Sequence, residues 1–112
     1  MDRYNLGVIQ SGFSKTVLYD GDAITSAGTY ALSDSVYNYK LIIVEHGYGG
    51  NNNTKKQSSV IVGIYNDPNS YMACNGYGTN TDYASFHFSS DGNNIVVDVY
   101  GGETITKIIG IN

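Results

Sequence analysis

The sequence predicts an all-β fold: an antiparallel sandwich or barrel of about eight short strands. Three observations carry this. Apolar and polar residues alternate with a period of two in one run after another. Each run ends in a turn signal. Composition supplies β-branched and aromatic residues with 14 Gly and a single Pro, which suits pleated strands joined by tight turns. At 112 residues the chain is long enough for one hydrophobic core and too short for two, so residues 1–112 are read as one domain.

The runs follow in order. Lys15 to Tyr19 and Thr29 to Leu32 are short and separated by the Asp20-Gly21 turn and a small-residue stretch ending at Gly28. Tyr39 to His46 sets Tyr39, Leu41 and Ile43 on one face and Ile42, Val44 and His46 on the other, so it is apolar on both sides, as a central or interface strand is. Ser58 to Tyr65 has the same two-faced character. Asp67-Pro68-Asn69-Ser70 fits a type I turn, because Pro presets φ at the second position. Tyr71 to Cys74 is a short strand. Tyr83 to Ser89 alternates Ala84, Phe86 and Phe88 with Ser85, His87 and Ser89, the pattern of a core strand with one wet face. Asp91-Gly92 and Gly101-Gly102 read as two-residue hairpin turns. They would join Tyr83 to Ser89, Asn94 to Tyr100 and Thr104 to Ile111 into a meander, with Ile105, Ile109 and Ile111 on one face. Gly47 to Lys56, with its three consecutive Asn, reads as a long exposed loop.

Composition also excludes. Charged residues make up 14%, against roughly 25% in an ordinary domain. Solubility therefore rests on Asn, Ser, Thr, Gly and tyrosine hydroxyls, a surface suited to neutral, hydroxyl-rich partners. A net charge of -4 with scattered cations gives no drive toward phosphate backbones or anionic lipid, so no nucleic-acid partner is expected. No apolar stretch is long enough for a signal peptide or a spanning helix, so neither Sec export nor membrane insertion is expected. Cys74 stands alone, which rules out an intrachain disulfide and favours synthesis in a reducing cytosol.

Signals for catalysis are weak. His46 and His87 lie in strands without a neighbouring ligand at a metal-binding spacing, so they read as a hydrogen-bonded strand-end His and an outward-facing His, and no metal is expected. Cys74 reads as a small buried hydrophobe. Glu45, Asp82, Asp98 and Glu103 are the carboxylates in or beside strands, and no spacing singles out a pair for glycan hydrolysis. Gly49-Gly50 and Gly76-Tyr77-Gly78 open no helix, so a phosphate cradle is missing. No enzyme activity and no cofactor are expected.

Tyrosine stands out, with 11 Tyr against three Phe. A tyrosine ring offers an apolar face to the C–H face of a sugar and a hydroxyl for bonding, and Tyr and Asn serve adaptable protein-binding loops for the same reasons. The candidate receptor-binding residues are Tyr48, Tyr71, Asn75, Tyr77, Asp82 and Tyr83, carried by the loops Gly47 to Lys56 and Asn75 to Asp82.

Leu18-Tyr19-Asp20-Gly21, then Gly28-Thr29-Tyr30-Ala31-Leu32-Ser33-Asp34-Ser35-Val36-Tyr37-Asn38-Tyr39-Lys40-Leu41-Ile42-Ile43-Val44-Glu45, resembles the receptor-binding head modules at the tips of bacteriophage tail fibres and related prophage tail proteins. The closing Ile105-Thr106-Lys107-Ile108-Ile109-Gly110-Ile111 resembles their C-terminal strand. Tyr19 stands where many relatives carry Trp, and Gly47 to Asn94 matches no part of the pattern. The resemblance implies an antiparallel β-sandwich, jelly-roll-like, that forms a homotrimer, binds a bacterial surface polysaccharide or surface protein, and belongs to a virion assembled in the host cytoplasm. It brings no catalytic residues. Because such tips usually end much longer chains, this chain is expected to be a piece of a longer fibre. Three other readings stay open: a structural cap that trimerises a fibre, a monomeric lectin-like carbohydrate-binding module, and an enzyme acting on surface glycan.

Overall fold

The alternating runs form strands that pair into two four-stranded antiparallel sheets packed face to face as a β-sandwich. The structure, a computed structural model, describes residues 13–48, 55–62, 70–78 and 81–112. Its strands are β1 (Lys15–Tyr19), β2 (Gly28–Ala31), β3 (Leu41–Tyr48), β4 (Lys55–Val62), β5 (Met72–Asn75), β6 (Tyr83–Phe88), β7 (Asn94–Gly101) and β8 (Glu103–Ile111). The first sheet has the order β1-β8-β3-β4 and the second β2-β7-β6-β5. The first strand thus pairs with the last and the second with the next to last. The middle four form two hairpins, β3–β4 in one sheet and β5–β6 in the other.

Between the sheets lie Ile42 and Val44 of β3, Phe86 and Phe88 of β6, Ile95 and Val97 of β7, and Ile105 and Ile108 of β8, each at most 3% exposed. Phe86 and Phe88 meet edge to face with centroids 5.8 Å apart. Burial of each such side chain contributes about 1.5–3 kcal/mol.

Several expectations are corrected. β8 does not continue a meander: it leaves β7 and inserts between β1 and β3 in the opposite sheet. Gly101-Gly102 is therefore a crossing between sheets rather than a hairpin turn. Ile105 does not share a face with Ile109 and Ile111. The β3–β8 register steps from Glu45↔Lys107 to His46↔Ile105, so Thr106 is an extra residue, and a one-residue bulge inverts the parity of everything beyond it. Ile105 and Ile108 consequently both face inward at 0% exposure. Gly47 and Tyr48, and Lys55 and Lys56, belong to paired strands rather than to a loop. Residues 49–54, 63–65 and the 67–69 turn lie outside the described residues. The Asp91-Gly92 turn is present but longer than two residues, closing where the Ser89 N–H donates to the Asn94 carbonyl at 3.0 Å, with Gly92 at φ +75°.

Tyr39 precedes β3 instead of starting it. A short 3-10 turn (Val36–Asn38) carries the chain from the second sheet to the first. Asp34 organises it: one carboxylate oxygen accepts from the Ser35 N–H (2.8 Å) and the Asn38 amide (3.0 Å), the other from the Tyr39 hydroxyl (2.8 Å). The Tyr39 ring, so held, covers Gly110, where an added Cβ would come within 2.5 Å of it. Val36 plugs the core at 0% exposure, and the Ser35 and Tyr37 hydroxyls donate to the Asp91 and Ser89 carbonyls of the β6–β7 turn.

The Tyr39 hydroxyl and the Ser35 N–H hold the Asp34 carboxyl below its ordinary range. A carboxylate with a lowered folded pKa stabilises the fold above its unfolded value of about 3.9 and loses that contribution as pH falls through the folded value. Asp34→Asn should therefore lower the urea midpoint at pH 7 and lower it less at pH 3, as unfolding curves at the two pH values will show. Phe86→Ala should cost about 3–5 kcal/mol in the same assay.

Candidate functional site

The outer face of the second sheet is built from alternate residues of β5, β6 and β7. On β6, Ala84, Phe86 and Phe88 point to the core, which turns Tyr83, Ser85 and His87 outward. Register places Asn75 opposite Tyr83 and Ala73 opposite Ser85. Tyr71, just before β5, lies on His87 with ring centroids 4.8 Å apart. β7 contributes through a bulge: pairing steps from Ser85↔Val99 to Phe86↔Val97, so Asp98 is the extra residue and both Asp98 and Val99 reach solvent. From there the Asp98 carboxylate accepts from His87 Nδ1 at 2.8 Å. In the neutral imidazole this leaves Nε2 as an acceptor, with no partner among the described residues.

Backbone without side chains seats the far end of this face. The Tyr83 ring lies on Gly101, where an added Cβ would come within 2.5 Å of ring carbons, and Asp82 lies against Gly102, whose φ is +103°. The Gly-Gly pair that reads as a turn in the sequence thus receives the first side chain of β6 and the one just before it. Tyr71, Tyr77 and Tyr83 are 63%, 59% and 41% exposed. Five of the six residues expected to bind a receptor therefore flank one hairpin. They form two groups, Tyr71 at one end of β5 and Asn75, Tyr77, Asp82 and Tyr83 at the other, about 13 Å apart at the usual strand rise. Tyr48 belongs to the other sheet, and its side chain lies outside the described residues. His87 and Asp98 join the site without having been expected there. Ile95, Val97 and Val99 keep the period of two in the sequence, so only the pairing with β6 reveals the bulge at Asp98.

Beneath this face lies a buried polar network. His46 of β3 contacts Glu103 Oε2 through Nδ1 at 2.5 Å and Ser59 of β4 through Nε2 at 2.8 Å, with His46 2% and Glu103 0% exposed. Hydrolases use the same order of groups to activate a serine. Here Ser59 pairs with Val44, a core residue at 0% exposure, so its half-buried side chain lies on the inner face of the edge strand β4. The network ties β3, β4 and β8 together. Next to it the Gln57 amide donates to the Asn75 carbonyl (3.2 Å) and accepts from the Tyr77 N–H (2.7 Å), linking β4 to the loop that bears Tyr77. Cys74 is also buried, its thiol pushed up to about 12 by burial and then by the Glu103 charge.

A depression of about 260 Å³ on the first sheet is lined by Glu45, His46, Lys56, Gln57, Ser58 and Thr106, with no Tyr or Phe among them. Among the described residues no three His, Cys, Asp or Glu gather to hold a metal, and no helix is long and apolar enough to cross a membrane. Compared with known proteins, the chain matches no protein-family model and no curated protein.

Gly101→Val should cost about 1–3 kcal/mol and displace Tyr83, measurable by unfolding and by a change in tyrosine fluorescence. His46→Leu should cost about 3–5 kcal/mol, because it leaves Glu103 buried without its partner. The double variant His46→Leu, Glu103→Leu should recover much of that loss in the same unfolding assay.

Proposed function

We propose that this chain is a receptor-binding domain of the kind found at phage tail fibre tips, acting as a homotrimer on a bacterial surface glycan and carrying no enzymatic activity. The observation that carries the reading is the outer face of the second sheet. There Tyr71 is exposed and tilted against a histidine fixed by Asp98, with ring centroids 4.8 Å apart, and Tyr83 is exposed on a glycine seat. Exposed rings beside hydrogen-bonding side chains match a ligand that is apolar on its C–H face and hydroxylated at its edge. The segment that resembles fibre heads supports the reading from the scaffold side, since Ser33 to Tyr39 forms the corner joining the two sheets.

A second reading, a structural cap that registers a longer fibre, is favoured by the outer face of the first sheet. Register aligns Val17, Ile109, Ile43 and Val60 in one row and Ile111, Leu41 and Val62 in the next. Val60 and Val62 remain 57% and 72% exposed. Such a face matches contact between copies. The two readings are compatible when one sheet assembles and the other binds.

Light scattering after size exclusion should give three times 12.1 kDa; a clean monomer moves the lectin-like module forward. Tyr71→Ala and Tyr83→Ala should each weaken adsorption to host cells by about tenfold, or about 1.4 kcal/mol. Unchanged adsorption by the folded double variant would overturn the proposed face.

A further inference from the structure

Resting on the glycan reading above, we infer that the ligand is an oligosaccharide without acidic groups, lying lengthwise along β5 and β6 from Tyr71 to Tyr83. Shape is the first observation. The two exposed rings stand at opposite ends of the face, and between them the facing pair is Ala73 and Ser85, two of the smallest side chains. The result is a low strip about 13 Å long with an aromatic platform at each end. A single sugar reaches one platform; a chain of several units reaches both. Ser85 and the acceptor Nε2 of His87 lie along the path of its hydroxyls.

Charge is the second observation. No Lys or Arg occurs between Lys56 and Lys107, a span that holds Asp67, Asp82, Asp91, Asp98 and Glu103. All cations of the described strands, Lys15, Lys55, Lys56 and Lys107, belong to the first sheet, and β2, β5, β6 and β7 carry none. Asp98 lies within the strip and Asp82 at its end. Carboxylate, phosphate or sulfate groups on a ligand would face like charge there with no Arg or Lys on the four strands of that sheet to pair them. Neutral hydroxyls pay no such penalty and find acceptors.

The test is an array of purified bacterial surface polysaccharides and their size-fractionated oligosaccharides, grouped by presence or absence of acidic substituents. Affinities are then measured by calorimetry. Affinity should rise at least about tenfold from monosaccharide to oligosaccharide within the neutral group. It should change less than about twofold across the salt range that screens surface charge. It should be lost in Ser85→Trp, which fills the strip and leaves both tyrosines in place, with folding checked by circular dichroism. Equal affinity for the monosaccharide, or acidic oligosaccharides binding as tightly as neutral ones, would overturn the inference and leave a glycan site at Tyr71. No binding by any glycan, with adsorption still dependent on Tyr71, would overturn the glycan reading itself and point to a surface protein.

Discussion

The chain must pass from one sheet to the other without leaving buried backbone unpaired, and the carboxylate of Asp34 governs the passage that starts β3. Its three accepted hydrogen bonds tie a backbone N–H, an amide and a phenol to one half-buried carboxylate, while Val36 plugs the core from within. Ser35 and Tyr37 extend the same corner to the β6–β7 turn, more than 50 residues away in sequence. Gly92 accommodates them because an added Cβ would come within 2.3 Å of the Ser35 hydroxyl. The relative placement of the sheets, and so of every side chain on their outer faces, follows from this contact set.

Much of the scaffold was legible in the sequence because strand parity is a local property. Alternation in Tyr83 to Ser89 set three residues inward and three outward, and the structure has them so. Parity fails where an extra residue enters, and an extra residue is invisible to a reader of one strand alone. Thr106 redirects Ile105, and Asp98 brings a carboxylate to His87; each bulge is defined only by the partner strand. Gly101-Gly102 misled for a related reason. Two glycines signal either a tight turn or a place where another chain segment comes close, and only the position of Tyr83 and Asp82 distinguishes the two. The contacts His46–Glu103 and Gln57–Tyr77 join residues far apart in sequence and had no local signature.

The two outer faces differ in kind. One is aliphatic and flanked by lysines; the other is tyrosine-rich, with no Lys or Arg on its four strands, and each sheet is interrupted by a bulge. Sandwich architecture permits this division because each sheet needs only its inner face for stability. The Gln57 bridge sets a limit on it: the loop bearing Tyr77 is anchored to the edge of the opposite sheet, so a disturbance at β4 reaches one end of the tyrosine strip directly.

Cys74 sits on β5, the edge strand of the tyrosine face, with its thiol turned inward at 1% exposure toward the Ala84 carbonyl. Since the thiolate is the reactive species, a thiol kept protonated and enclosed resists oxidants and alkylating reagents while the fold is intact. The module can therefore move from reducing to oxidising surroundings without chemical damage at this atom. The same enclosure makes the sulfur a clock: the rate at which it takes up a thiol reagent reports how often β5 lifts away from β6.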